Sequence, residues 1–398
     1  MKRIRVVHII TRFDKGGSAE NTFLTVLGLD RQRYDVSLIT GMTEELRMGE
    51  VEGKATVRNL TRIKEAGIAL HIIPELVRNI QPLHDLQALI KINRKLREIK
   101  PHIVHTHTSK AGILGRFSAC LNNVPVVVHT PHGHVFWGYF GPLISRLFII
   151  LEKFAAHGTD RLVMLTEQEK EDHTPYCIGK EELFTVIHSG VNLEPFLRAD
   201  KDRERMRKEL GIPADAFAVG TVGRLTAVKG QRYLLEAAAK LSRDIPGLFC
   251  ILLGDGELRE ELKAGASDLG IGEHVLFLGW RDDVAAIISV FDVFVLPSLN
   301  EGMGRVIVEA MASGKPVVAS DVGGIRNLVG DKENGILVRP ADPEGLAKGI
   351  KDLYGDPKRR VRMGEAGRLK AAAFSDRAMI EKIDTLYSEM IGKKNVQT

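Results

Sequence analysis

Cysteine is nearly missing from this chain: Cys120, Cys177 and Cys250 are the only three in 398 residues. They are odd in number, far apart, and form neither a CxxC nor a Cys/His pattern. A disulfide framework and a structural zinc site are therefore excluded, and a reducing cytoplasm is the expected setting. Aromatic residues make up only 6%, which leaves little for stacking bases. No block of consecutive Lys/Arg is long enough to argue for nucleic acid, so it is not an expected partner. The net charge of +5 suits smaller anions, such as nucleotides or acidic lipids. No run of about 18 uncharged apolar residues exists, so nothing is expected to span a membrane. The opening "MKRIRVVHII" places cations before apolar residues. That run is short and no small-residue cleavage site follows, so it reads as a first strand.

Glycine, by contrast, is plentiful: 39 residues, clustered at the ends of apolar runs. There a backbone needs positive φ or close approach to a ligand. Hydrophobic content of 44% with 27% charged residues is that of a globular protein, and the length suggests two domains. Short apolar runs alternate with helical patterns: "IRVVHII" (4–10), "DVSLIT" (35–40), "HIVHTHT" (102–108), "VPVVVHT" (124–130) and "RLVMLT" (161–166). Continuous rather than alternating apolarity marks strands covered on both faces, and the rhythm is that of a parallel α/β sheet. The pattern falters in the charged stretch 190–218, then restarts with "VGTVGRL", "LFCILLGDG", "VLFLGW", "DVFVLPS", "KPVVASD" and "GILVRP". Residues 1–195 and 196–373 are the expected domains, with 374–398 a helix packing back on the first.

In such sheets ligands sit beyond the carboxyl ends of the strands, so the loops there carry the candidate site. After the first strand come Gly16 and Gly17, where a phosphate can approach a helix N-terminus; the plainer reading is a turn with Ser18 as N-cap. In "VGRLTAVKG", Arg224 and Lys229 bracket a strand-end loop. They suit a diphosphate, or are two solvated surface charges. In "NEGMGRVIVEAMA", Glu301 ends a strand, Gly302 and Gly304 leave the next N–H groups accessible, and Glu309 lies inside the following helix. A carboxylate there needs a donor, which a vicinal pair of sugar hydroxyls or Arg305 would provide. His105/His107 and His132/His134 could suggest metal, but on the reading that neighbouring strand positions face opposite ways, and with no acid nearby, none is expected. His132 reads instead as a neutral donor or acceptor at the site. Asp200 and Asp202 form the D-x-D of the chain; in a charged linker they are poorly placed to hold a metal nucleotide.

The set "VGRLTAVKG", "LLGDGELREEL", "VLFLGWRDDV", "DVFVLPSLNEGMGRVIVEAMASGKPVVASDVGG" and "NGILV" resembles the nucleotide-sugar half of the retaining glycosyltransferases of family 4. "KGGSAE", "HTHTSKAGILGR" and "HTPHG" resemble the acceptor half of the same enzymes, especially those building bacterial capsule, exopolysaccharide or lipid-linked oligosaccharide. The resemblance covers nearly the whole chain, and Glu301 and Glu309 match the family's E-x7-E motif. It implies the GT-B fold, two Rossmann-like domains whose parallel sheets face a central cleft, and a retaining, metal-independent hexosyl transfer with no cofactor. UDP is the first expectation for the donor nucleotide and GDP the second. It further implies that Arg224 and Lys229 hold the donor diphosphate and Glu309 the ribose hydroxyls. Glu301, a catalytic candidate, would bind the donor sugar beside Gly302 and the N–H groups of Met303, Gly304 and Arg305. Gly17, next to Gly16, would donate to phosphate; His132, the second catalytic candidate, would meet the sugar; Trp280 and Arg281 would lie by the base. One departure is Asn327, where many relatives carry a glutamate.

The expected partners are thus a nucleotide sugar and a glycan or polyprenyl-linked acceptor. The basic helical stretch "KINRKLREIK" (91–100) reads first as a plain amphipathic surface helix and second as a membrane-surface contact, and the aromatic run Val135–Phe140 either lines the acceptor site or touches a bilayer. With the basic balance, a peripheral contact with anionic lipid at the inner face of the plasma membrane is the expectation. The run after it, "LISRLFIILEKFAAH", is expected to be a core helix of the first domain. Two rival readings share these features: a GT-B-like nucleotide-sugar epimerase or hydrolase, and a non-catalytic nucleotide-sugar-binding protein. A nicotinamide dehydrogenase is disfavoured, because the first strand lacks GxGxxG.

Overall fold

The strand β1 (Ile4–Ile10) is apolar along its length because it lies in mid-sheet with both faces covered: Val6, Val7, Ile9 and Ile10 are fully buried. The computed structural model describes residues 3–13, 16–41, 51–133 and 141–396. His134 and the aromatic run Val135–Phe140 lie outside the described residues. The chain forms two units, residues 1–190 with 376–398, and residues 191–375. The first division therefore falls after Gly190, where a Cβ would sit 2.7 Å from the Cα of Asp376, ahead of the boundary expected at 195.

In the first unit β1 is joined by β2 (Tyr34–Thr40), β3 (Ala69–Ile72), β4 (Ile103–His107), β5 (Val126–Thr130), β6 (Arg161–Met164) and β7 (Phe184–Val186). All pairings are parallel, in the order β3-β2-β1-β4-β5-β6-β7. The second unit carries β8 (Phe217–Val222), β9 (Leu248–Leu253), β10 (Val275–Gly279), β11 (Val293–Leu296), β12 (Val317–Ser320) and β13 (Gly335–Val338). These too are parallel, in the order β10-β9-β8-β11-β12-β13. Strand order reverses between β1 and β4 in one sheet, and between β8 and β11 in the other. Such reversal points open the crevice where α/β sheets take their ligands.

The C-terminal helix Asp376–Lys393 is part of the first unit. It buries Met379, Ile383, Leu386, Tyr387 and Met390 against the core around Val6, Phe23, Val26 and Tyr34. Asp384 fastens it, accepting from Arg33 at 2.7 Å and from the Tyr34 hydroxyl at 2.7 Å.

The helix Pro142–Ala156 corrects an expectation. Instead of lying in the core it turns Leu143, Leu147, Ile150 and Phe154 outward, at 87%, 54%, 56% and 65% exposure. The reason is electrostatic. Arg116, buried in the helix Ser109–Leu121, is paired with Glu152 at 2.6 Å. An unpaired buried guanidinium would be costly, so Glu152 faces inward with Ser145 and Ala155 and the bulky apolar side chains go out. Apolar density alone does not tell which side of a helix is covered.

Candidate active site

In the second unit the reversal point is flanked by the loops after β8 and β11. The first runs through Arg224, whose side chain is exposed, to one 3-10 turn, Ala227–Lys229, and Gly230, which caps the helix Gln231–Leu241. Gly230 has φ +65°, and a Cβ there would sit 2.2 Å from the Pro297 carbonyl oxygen, so only glycine fits. The close approach, with the Leu299 N–H donating to the Val228 carbonyl at 2.8 Å, locks the two loops together. Lys229 then reaches Glu301: Nζ donates to Oε1 at 2.6 Å, and the Ser298 hydroxyl donates to the same oxygen at 2.8 Å. The Glu301 side chain is only 9% exposed and that of Lys229 29%. A nearly buried carboxylate is thus held by a cation and a hydroxyl at the lip of the sheet.

The turn after Glu301 is equally constrained. A Cβ on Gly323 would lie 1.9 Å from the Glu301 carbonyl oxygen, and the Gly324 N–H donates to the Gly302 carbonyl at 2.9 Å, so the loop after β12 braces it. Gly302 is exposed, Met303 buried, and Gly304, at φ +78°, caps the helix Arg305–Ala312. Arg305 and Glu309 are half-buried within that helix. Trp280 and Arg281 follow the edge strand β10, two places from β8. The Arg281 guanidinium bonds Asp283 at 2.6 Å and Glu209 at 2.7 Å, and those bonds raise its pKa further still. The side-chain oxygen of Asn327 is buried without a hydrogen-bond partner among the described residues. Asp200 is paired with Arg368 at 2.7 Å and Asp202 with Arg205 at 2.7 Å. The structure therefore joins Lys229 and Glu301 directly, runs Gly302–Arg305 on from them, and ties Arg281 into an ion-pair cluster with Asp283 and Glu209. Ser298 was missed, and nothing in its local sequence marks it; the glycine pair Gly323–Gly324 stands out in the sequence, but its bracing of the turn after Glu301 does not.

In the first unit Gly16 and Gly17 lie exposed at the start of the helix Gly17–Gly28. The cap is Gly16 and not Ser18, which lies one step inside the helix; among the described residues no side chain caps this end, which leaves its leading N–H groups to other acceptors. The histidines give a second correction. Positions two apart in a strand share a face, so His105 and His107 stack, with ring centroids 4.3 Å apart. They meet His8 across the β1–β4 register, where His8 pairs with His105. One ring nitrogen from each of His8, His105 and His107 lies within 4.8 Å of the other two. Burial holds all three rings neutral, with His8 pushed down to about 3. His132 follows β5 at φ +59°, a conformation costly for a non-glycine residue. Its ring bonds the buried His107, Nε2 to Nδ1 at 3.0 Å. Its loop is held by Glu169, whose buried carboxylate accepts from the Gly133 N–H at 2.8 Å and the Leu165 N–H at 2.6 Å. Burial raises the Glu169 pKa. Glu169 was also missed, although Thr166-x-x-Glu169 carries a capping-box signature.

Two parallel α/β sheets, each with its loops at a reversal point, are the parts of which a GT-B type of fold is made. Comparison with known proteins narrows this. The description "Glycosyltransferase Family 4" matches residues 15–195 and "Glycosyl transferases group 1" matches residues 202–370. A UDP-Gal:alpha-D-GlcNAc-diphosphoundecaprenol alpha-1,3-galactosyltransferase of Escherichia coli is 35% identical over 344 residues, covering 84% of this chain and 87% of that one. A D-inositol 3-phosphate glycosyltransferase of Corynebacterium kroppenstedtii is 30% identical, covering 96% and 86%. Among solved structures, Anabaena Alr3699/HepE in complex with UDP-glucose superposes with a TM-score of 0.80 at 24% identity, covering 96% of this chain and 99% of that one; this likeness speaks for the fold. The chain belongs to glycosyltransferase family 4.

Proposed function

We propose that this glycosyltransferase moves a hexose from UDP onto a glycan carried by a polyprenyl diphosphate, with retained anomeric configuration and without a divalent ion. The observation that carries the reading is the Lys229–Glu301 pair at 2.6 Å at the reversal point of the second sheet. A diphosphate entering that loop competes with Glu301 for the Lys229 ammonium and takes the exposed Arg224 as its second cation. Glu301, kept in place by Ser298, is then released to accept from donor-sugar hydroxyls, and Glu309 grips the ribose pair. Gly17 donates to phosphate, His132 meets the sugar, and the segment from Gly302 to Arg305 supplies backbone donors. In this scheme the acceptor hydroxyl attacks on the face that the phosphate leaves, and the departing phosphate takes its proton. Lys229 and Arg224 carry the charge that a metal ion carries in other nucleotide-sugar enzymes. The activity of the Escherichia coli relative, which takes UDP-Gal and a diphosphoundecaprenol-linked sugar, supports the donor and acceptor class.

Contact with the inner leaflet of the plasma membrane belongs to the same reading. None of the described helices is long and apolar enough to cross a membrane. The outward stripe Leu143, Leu147, Ile150 and Phe154, flanked by the exposed Arg146 and Lys153, suits an interfacial helix on anionic lipid.

The test is transfer from UDP-galactose, UDP-glucose and GDP-mannose to a polyprenyl-diphosphate-linked N-acetylglucosamine, with the product anomer read by NMR. A UDP sugar is expected to give an α-linked product whose formation survives EDTA. Loss with EDTA would overturn the metal-free reading, a β-linked product the retaining one. Equal donor consumption without acceptor would point to a hydrolase or epimerase.

A further inference from the structure

Behind His132 runs an unbroken line of buried polar groups. His132 Nε2 lies 3.0 Å from His107 Nδ1; His107 Nε2 lies 3.0 Å from His8 Nδ1; His8 Nε2 lies 3.5 Å from the Tyr387 hydroxyl. That hydroxyl lies 2.6 Å from His105 Nδ1, and His105 Nε2 lies 2.8 Å from the Thr130 hydroxyl. His8, His105, His107 and Tyr387 are at most 1% exposed. A neutral imidazole has one N–H and one lone pair. Each ring therefore passes on the direction it receives, and the line has two self-consistent orders, all donors pointing one way or all the other.

We infer that Tyr387 of the C-terminal helix selects one order and thereby sets the tautomer that His132 presents. A phenol is a strong donor and a weak acceptor, and an imidazole nitrogen is a strong acceptor. The short 2.6 Å contact is accordingly Tyr387 O–H donating to His105 Nδ1, and the 3.5 Å contact is His8 Nε2–H donating to the phenol oxygen. His8 Nδ1 then accepts from His107 Nε2–H, and His107 Nδ1 accepts from His132 Nε2–H. His132 is left with its lone pair on Nδ1, the nitrogen that accepts a hydrogen bond and does not donate one. Burial supports this order, since it holds the Tyr387 phenol protonated and the three inner rings neutral. With every ring nitrogen of these three engaged, the cluster needs no cation. Tyr387 touches no substrate in this scheme; it is a positioning residue. The consequence for transfer rests on the proposed role of His132.

The test uses the full chain labelled with 15N-histidine, reading tautomers from long-range 1H–15N correlations, with His132→Gln assigning the signal. The wild type is expected to show His132 as the Nε2–H tautomer alone. Tyr387→Phe keeps the ring and removes the hydroxyl, so that single tautomer should give way to a mixture. Thr130→Val, which removes the last acceptor of the line, should shift His105 and provides a second probe if Tyr387→Phe fails to fold. An Nδ1–H tautomer at His132 in the wild type, or unchanged His132 signals in Tyr387→Phe, would overturn the inference. So would one equivalent of Zn2+ moving the His8, His105 and His107 signals together, which would make the cluster a metal site. If the tautomers behave as stated while His132→Ala transfers normally, the chain order stands and the proposed role of His132 fails.

Discussion

Glu301 and Lys229 are each other's main partner, so their substitution separates function from folding. Glu301→Gln keeps a hydrogen bond acceptor for Ser298 and Lys229. It should lower kcat/KM by about 100-fold, which is about 2.7 kcal/mol of transition-state binding, with a melting temperature near that of the wild type by calorimetry. Near-normal turnover at limiting donor would remove Glu301 from the mechanism. Gly230→Ala behaves differently. It forces a side chain onto φ +65° and into contact with the Pro297 carbonyl, so a loss of about 1–3 kcal/mol is expected in urea denaturation, with reduced activity alongside.

Elements decide which side chains face where. The outward stripe of the helix Pro142–Ala156 is a consequence of the Arg116–Glu152 pair. Leu147→Asp with Phe154→Asp should abolish co-sedimentation with anionic liposomes while leaving stability almost unchanged, because both positions are exposed. Equal sedimentation of the double variant would remove this helix from the membrane contact. The loop bearing His132 depends on another element, the helix Glu167–His173. Glu169→Gln replaces one acceptor oxygen with a donor that faces backbone N–H groups. About 1–3 kcal/mol of stability should be lost, together with the fixed position of Gly133.

At the scale of the molecule, buried histidines set the acid limit. His8, His105, His107 and His129 are buried and their folded pKa values are lowered, to about 3 for His8. Above about pH 6.5 the rings are neutral in both folded and unfolded chains. Below it the unfolded chain binds protons that the fold refuses, so each group removes about 1.4 kcal/mol per pH unit down to its folded pKa. Glu169, with its raised pKa, acts the other way: its contribution is present below its unfolded value and is lost as pH rises through the folded one. The histidines outweigh Glu169, since burial also lowers His71, His102 and His188, and predict a urea midpoint that falls steadily below about pH 6.5; a flat profile would contradict neutral burial. Truncation after Ser375 removes five buried side chains from the core of the first unit. At roughly 1.5–3 kcal/mol each that approaches the whole stability of a domain, about 5–15 kcal/mol. The truncated chain should show no cooperative unfolding of that unit.

Much of this was written in the primary structure. Parallel strands declare themselves as unbroken apolar runs, because a strand covered on both faces has no polar side to show. Strand-end loops declare themselves through glycine, because tight turns and close backbone approach admit no Cβ. Arg224, Lys229, Glu301 and Glu309 could be singled out for the same local reasons. What only the tertiary structure decided are meetings between distant parts of the chain: Lys229 with Glu301, Arg116 with Glu152, Glu169 with Gly133, and Tyr387 with His8 and His105. Local pattern records which face of an element is apolar. It does not record which element will cover that face, since the partner of a buried charge or imidazole is chosen by packing across the sheet.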